Sequence, residues 1–548
     1  MLRTRWVAGV LASVLLTIST AALAEEPARK WGAFLDIEGK VGTKRNLGEA
    51  TLFVPLWQDE ATMLFGDVRF KMDDQNGHEG NFGLGVRRMM ADGWNAGLYG
   101  FFDRRHSPND NMFNQLTFGA EVLGTNFDFR ANTYWPVGNT VQAVGQPTQG
   151  PTTAAVSGGT LQVTTPAMLQ RFEYALRGFD AEAGVRVPIL PSESPYQLRF
   201  YAGGFRFDEP TGVAAVVAGP RLRLEFTDYD VPGLWNGTRF TVGAEWQTDE
   251  VRGSPFFAGL RLRVPLQAEP NRATRTLQER RMTDTIVRDV DIVANAQTVQ
   301  VAPAVSEQAF TATGETITGI SSATTTGAAL PGAVAAAGSN SFVVLQGTFG
   351  TGTTTVVMQG GQTLMGGGSV SLRTASGRLV TATLPGATIS GTGTGPAGVV
   401  QVTDNTTLSG MTIIGASSSG AGVFGVRMND TSTGATITNN TITVMQTGAN
   451  GAVGLLLGSN NTATVSGNTV TVTGPTGQTM TALGANNGGT YTISGNTLSA
   501  SGGTTNRAIS LAGDTLMNST GNVKAAGICN NGGGNTGSVG FTDGTTCP

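Results

Sequence analysis

Residues 80–105 read GNFGLGVRRMMADGWNAGLYGFFDRR, and Gly83-Leu84-Gly85 is spaced like part of a phosphate-cradling turn. That chemistry needs a helix directly after the glycines, with its first N–H groups aimed at the anion. Here Val86-Arg87-Arg88 instead continues an alternation of apolar with small or charged residues. Ala91-Asp92-Gly93 breaks the pattern and Trp94 resumes it. The stretch reads as a β-hairpin, its glycines marking places where a wall bends or leaves room for neighbouring side chains.

Other residues able to do chemistry are sparse. The only two histidines, His78 and His106, fall in predicted loops, where a solvated role outweighs a metal or catalytic one. Beyond residue 296 the acids are Glu307, Glu315, Asp404, Asp430, Asp514 and Asp543, none adjacent to another in sequence. No histidine accompanies them, so acid–base catalysis near neutrality lacks players. Neither a catalytic group nor a cofactor or metal site is expected. Cys529 and Cys547 are the only cysteines. Two thiols without a nearby histidine cannot complete a tetrahedral zinc site, whereas an exported chain would oxidise them to a disulfide.

Export is itself legible. MLRTRWVAGVLASVLLTISTAALA opens with Arg3 and Arg5, continues through an apolar run from Val7 to Ile18, and ends in Ala22-Leu23-Ala24. This is the pattern of a secretory signal peptide over residues 1–24. Only 14% of the 548 residues are charged, against about 25% in typical soluble chains, and 78 are glycine. A net charge of −4 gives no basic excess for nucleic acid.

The elements that must position these residues fall into two regions. Residues 25–266 read as twelve strands of about ten residues, at 31–41, 49–57, 62–71, 80–90, 94–103, 113–123, 126–135, 175–187, 196–207, 215–228, 237–247 and 254–265. In LRLRVPL, Leu260, Leu262 and Val264 point one way while Arg261 and Arg263 point the other. Gaps alternate between short ones, such as 91–93 and 124–125, and longer ones at 72–79, 104–112 and 136–174. Short turns on one rim, long loops on the other and an even strand count are the pattern of an outer-membrane barrel. Trp31, Trp57, Trp94 and Trp235 at the short-turn rim and Trp135 and Trp246 at the long-loop rim would form the aromatic girdles at the lipid interface.

FGDVRF, GLGVRRM, WNAGLYGFFDRR, TFGAEVLGTNFDFRANTYWPVG, RGFDAEAGVRVPIL and GAEW resemble the barrel of the inverse autotransporters, the intimin/invasin family. The resemblance covers roughly 31–293. It implies a twelve-stranded antiparallel transmembrane β-barrel in a Gram-negative outer membrane, a linker returning through the lumen, and a C-terminal passenger outside the cell. It also implies outer-membrane lipid, the barrel-insertion machinery and periplasmic chaperones as partners. The linker is expected at 267–300. Its Arg275, Arg280, Arg281 and Arg288 would suit a pore lined by Glu121, Glu182 and Glu245; a solvated linker is the other reading. No run of immunoglobulin-like domains follows, so host-receptor binding is not carried over.

Residues 301–548 repeat. TLSGMTII, TITNNTIT, TVSGNTVT and TISGNTLS start at Thr407, Thr436, Thr464 and Thr492, a nearly constant interval. A second strand recurs between them: GVFGVRM, AVGLLLG, TALGAN and RAISLAG. NSTGNVKA is a weaker echo. This is a solenoid signal, read as a right-handed parallel β-helix resembling the pectin-lyase-like fold. Leu408, Ile437, Val465 and Ile493 would stack in one inner row. Asn440, Asn468 and Asn496 share one register and would form a ladder, helped by asparagine's tolerance of left-handed backbone. Pectin-lyase-like helices often carry polysaccharide-cleaving sites built on paired carboxylates. Asp404 and Asp430, separated by close to one period, are the nearest approach to such a pair, and turn positions suit both better. The whole chain is therefore expected to be all-β and non-enzymatic. It would display its β-helix for attachment to glycans or cells, with a surface polysaccharide-cleaving enzyme or an outer-membrane pore as alternatives.

Overall fold

The computed structural model describes residues 30–548 except 192–193, 230, 267–274, 290, 393–396, 420 and 486–487. The signal-peptide expectation at 1–24 lies outside these. The chain divides into two compact units: residues up to 147 with 169–299, and residues 148–168 with 300–548.

In the first unit, apolar residues alternating with polar ones produce long strands: β1 (Phe34–Gly42), β2 (Leu47–Gln58), β3 (Thr62–Asp73), β4 (His78–Met89), β5 (Asn95–His106), β6 (Met112–Leu123) and β7 (Phe127–Val137). One loop then carries β8 (Val141–Gln149), β9 (Thr153–Ser157), β10 (Thr160–Thr165) and β11 (Met168–Ala175). The wall resumes with β12 (Arg177–Arg186), β13 (Tyr196–Asp208), β14 (Val217–Asp228), β15 (Arg239–Gln247) and β16 (Phe256–Pro265). β7 pairs directly with β12 and β16 returns to β1, so twelve antiparallel strands close a barrel.

The barrel is inside-out relative to a soluble protein. Val68, Phe82, Leu84, Leu98, Phe118, Phe129, Phe179, Leu224 and Leu260 are exposed on its outer face, while Asp67, Arg69, Arg87, Asp103, Glu121 and Arg130 are buried inside. Only lipid makes that arrangement favourable. A twelve-residue strand such as β4 is about 40 Å long, more than enough to cross an apolar band about 25 Å tall.

That length corrects one expectation. The expected long loops at 72–79 and 104–112 shrink to 74–77 and 107–111, because β4 starts at His78 and β5 runs to His106. The asymmetry between rims rests chiefly on residues 138–176. These do not all belong to the barrel: 148–168, expected within 25–266, fall in the second unit.

The second unit is a parallel β-helix. Each coil contributes three strands, not two, because the repeating motif itself bends. TLSGMTII becomes Thr407–Ser409 and Thr412–Ser417, and Val423–Met428 completes the coil. The residue at the bend has positive φ: Gly410, Asn439, Gly467, Gly495 and Gly521. The ladder asparagines follow that position rather than occupy it. Coil registers are those of the sequence repeat, with Thr407↔Thr436, Thr436↔Thr464 and Thr464↔Thr492. Leu408, Ile437, Val465 and Ile493 are all fully buried.

Asn440, Asn468 and Asn496 are buried just behind the bend, and Asn522, in the weak NSTGNVKA echo, adds a fourth rung. The Asn468 Oδ1 accepts from the Asn440 backbone N–H and side-chain Nδ2, both at 3.0 Å, and its own Nδ2 donates to Ile437 O at 2.8 Å. Asn496 and Asn522 repeat the pattern. Each rung thus satisfies a buried backbone N–H that no strand pairing reaches.

At the C-terminal end Cys529, on the last rung of one sheet, is disulfide-bonded to Cys547, with Cα atoms 5.6 Å apart. Val539, Phe541 and Cys547 are buried against the final coil.

Asn468→Ala strips a partner from buried polar groups on two coils and should destabilise the β-helix by about 2–4 kcal/mol, read as lost protease resistance in residues 300–548 of the full chain. Cys529→Ala/Cys547→Ala opens the loop that the disulfide closes and should cost about 3 kcal/mol, seen as faster hydrogen exchange confined to 528–548.

Candidate functional site: the charged lumen and its linker

Cross-strand register brings opposite charges together inside the barrel. Glu121 and Glu182 both lie opposite Arg130, in the β6–β7 and β7–β12 ladders. Arg130 approaches Glu182 at 2.9 Å and Glu121 at 3.6 Å. Arg87 reaches Glu121 at 2.6 Å and Arg223 reaches Glu182 at 2.7 Å. At the closing seam, Asp36 faces Arg263 and Glu38 faces Arg261. Arg263 grips Asp36 through two hydrogen bonds of 2.8 Å.

The linker threads this lumen from end to end. A short helix at Leu277–Arg281 begins with a capping box, in which the Thr276 hydroxyl accepts from the Glu279 N–H and the Glu279 carboxylate accepts from the Thr276 N–H. The helix sits at the short-turn rim. Trp31 Nε1 donates to Glu279 O at 2.9 Å, Gln278 donates to Met90 O and Trp94 O, and Arg275 to Lys30 O. Deeper in, Arg281 forms a bidentate pair with Asp128 at 2.6 and 2.8 Å and binds Asp284 at 2.9 Å. Arg263 donates to Thr283 O, and Thr285 donates to Asp36 at 2.9 Å. Arg288 is clamped by both oxygens of Asp103 at 2.8 Å. Asp291 bridges Arg45 and Arg105 at 2.7 and 2.9 Å. At the opposite rim the Ile292 N–H donates to Glu79, and Leu176 N–H to Val293 O. The strand β17 (Ala294–Ala302) then adds to β11, which pairs with β8.

The linker is therefore not a solvated tether, but its partners differ from those expected. Glu121 and Glu182 are engaged by wall arginines. Glu245 lies opposite Arg223. The linker arginines take aspartates: Asp128 for Arg281 and Asp103 for Arg288. Arg280 contributes its backbone carbonyl, which accepts from Arg239. Nothing local in the sequence marks these aspartates, because their pairing depends on cross-strand neighbours and on the linker's path.

The opening glycines belong here. Gly83 and Gly85 face inward, and a Cβ at either would lie 2.3 or 2.4 Å from the rings of Phe101 and Phe65. The freed space lets Phe101 lie on the wall, and the Arg288 guanidinium sits 4.6 Å from the centre of its ring.

Of the expected girdle, Trp57, Trp135 and Trp235 are more than half exposed, and Trp94 and Trp246 are half-buried on outward-facing positions. Trp31 is a correction. It is fully buried among Phe34, Phe53, Phe65 and Met282, holding the linker rather than meeting lipid. His78 and His106 are register partners near the long-loop rim with rings stacked at 4.7 Å.

The acids of the β-helix are engaged in turns. Asp404 accepts from the Thr433 N–H and Asp430 from the Ser459 N–H, each on the following coil, so both carboxylates are taken up by turn backbone. Hydrogen bonds from Ser376 hold the Glu307 carboxyl below its usual range. Burial pushes that of Asp514 up, against backbone N–H groups of Ala512 and Gly489 that favour its charged form. Glu315 and Asp543 accept from Thr311 and Thr545.

Residues 26–200 match the family model described as inverse autotransporter, beta-domain. The barrel is an inverse autotransporter β-domain. It is an outer-membrane barrel, followed here by a β-helix passenger. Among solved structures, the β-domain of the Bordetella autotransporter BrkA is 10% identical, covering 42% of this chain and 98% of its own, with a TM-score of 0.23. The Salmonella typhi outer membrane phospholipase is 12% identical, covering 44% and 94%, at 0.25. A membrane protein studied for in-meso crystallisation is 16% identical, covering 49% and 100%, at 0.34. No curated protein sequence matches the chain.

Arg288→Ala leaves Asp103 buried without its main partner and should destabilise the plugged barrel by about 3–5 kcal/mol. Arg280→Ala should do far less. The temperature at which the folded barrel band is lost on gel electrophoresis compares the two.

Proposed function

We propose that this inverse autotransporter exports and displays its own C-terminal β-helix on the cell surface, where the β-helix attaches the cell to glycans or to other cells. The observation that carries the reading is the path of the linker. It enters at the short-turn rim beside Trp31 and Trp94 and leaves beside the long loop, pairing with β11. In the orientation with short turns in the periplasm, that path delivers everything after residue 302 outside. A filled lumen also argues against a constitutive pore.

The attachment half of the reading rests on surface chemistry. Outward positions of successive coils repeat hydroxyls in rows, Thr436-Thr464-Thr492 and Thr441-Thr469-Thr497, each row running along one parallel sheet. Hydroxyls both donate and accept, and their repetition at the inter-strand spacing of about 4.8 Å suits many weak contacts to a polyhydroxylated ligand. The acids are taken up by turns, so binding without catalysis is the reading we hold. Lipid around the outer face, insertion machinery and periplasmic chaperones are the partners this route requires.

An epitope inserted at the exposed Gly533–Gly534 turn should be labelled on unbroken cells. An epitope reached only after permeabilisation would sink the display reading. Displaying cells should bind glycan-coated beads, and replacing Thr441, Thr469 and Thr497 with glutamate should weaken attachment about tenfold if each lost contact is worth a few tenths of a kcal/mol.

A further inference from the structure

The loop between β7 and β12 does something a barrel loop need not do. Its tip, β9 and β10, belongs to the β-helix unit. β10 pairs antiparallel with the strand Val305–Thr311, with Gln162 opposite Gln308 and Thr165 opposite Val305, and touches the next strand at Thr160↔Thr318. β9 meets the strand Leu379–Thr383 at Thr153↔Thr383. Leu161 and Val163 are buried in a small core with Ala309, Ile317, Leu372 and Ala382. Side-chain and backbone bonds extend the join: Val156 N–H to Gln346 Oε1 at 2.6 Å, and Gly319 N–H to Gly159 O at 2.9 Å. The base of the same loop, β11, receives the linker's last strand, β17.

The order along the chain matters. Strands β17 and Val305–Thr311 are the first to follow the lumen segment, and they pair with β11 and β10, two consecutive strands of one loop arm. A solenoid coil has no stable partner until a neighbour exists, so the first coil is the costly one. A hairpin already built offers an unpaired strand edge and an apolar face, and adding a strand to such an edge is a general mode of peptide capture.

We propose that the long loop, residues 141–175, is an intramolecular folding template. It captures the chain as it leaves the lumen and seeds the β-helix, after which each coil templates the next. This rests on the display reading above. Its consequence is directional: a coil that has folded outside opposes sliding of its chain back into the lumen, so seeding by the loop biases export outward.

The test follows export in whole cells carrying the Gly533 epitope. Leu161→Asp/Val163→Asp removes the apolar face of the template and leaves the barrel strands untouched. Appearance of the protease-resistant β-helix should slow about tenfold, as expected for a change within a folding nucleus, while the barrel keeps its folded gel mobility. In a second arm, Gln162→Cys/Gln308→Cys should cross-link before the resistant fragment appears. Wild-type folding speed in the Asp variant, or a resistant β-helix that forms with the cross-link absent, overturns the proposal. Should the Asp variant lose its barrel, the cross-link arm decides alone. An epitope dark on intact wild-type cells would instead count against display itself.

Discussion

A strand edge left open is intolerable in lipid, and much of this molecule answers that constraint. Hydrocarbon offers no partner to an unpaired N–H or C=O, so the barrel must close on itself. Closure between β1 and β16 is reinforced where Asp36 meets Arg263 and Glu38 meets Arg261 across the seam. The β-helix meets a milder form of the same problem in water. A stack of parallel strands has two apolar ends, each a template for another chain. At one end the helix Leu330–Ala336 buries Leu330 and Val334 in the β-helix core, and at the other the disulfide-tied turn buries Val539 and Phe541.

Closure creates a lumen, and the lumen creates the next demand. Charged side chains turned away from lipid end up buried together, where unpaired charge is expensive. The wall neutralises part of this through cross-strand pairs such as Arg130 with Glu121 and Glu182. Asp128, which Arg199 of the wall also reaches, and Asp103 are met by Arg281 and Arg288 of the linker. Linker and wall are thus complementary halves of one electrostatic structure. The short-turn rim adds directional anchors in Trp31, Gln278 and Asn95.

The barrel strands were readable from the sequence because inward charge and outward apolar residues alternate with period two. The coil register was readable because a nearly invariant repeat length leaves little freedom in which threonine stacks on which. What stayed hidden depended on non-local pairing. Nothing local marks Trp31 as a lumen residue, since a tryptophan at a strand end serves a girdle equally well. Asp103 and Asp128 look like ordinary strand polar residues until the linker is in place. Asn522 was masked because its rung follows Asn496 sooner than Asn496 follows Asn468, so it falls off the repeat. The three-strand coil was concealed because its bend falls inside the repeating motif. The hairpin at 153–165 sits in a long loop, and its partners at 305–318 and 379–383 lie beyond the whole second half of the barrel and the linker.

The asparagine ladder has a consequence for how such a protein changes over time. Asn468 makes the same contacts to the coils on either side as Asn496 does, so an interior coil is interchangeable with its neighbour. Duplicating or losing one repeat between the two sealed ends therefore requires no new interface. Each event changes the length of the rod by one inter-strand spacing, about 4.8 Å. The length of the β-helix is thus a heritable quantity that varies in small, evenly sized steps, leaving barrel, plug and seals as they are.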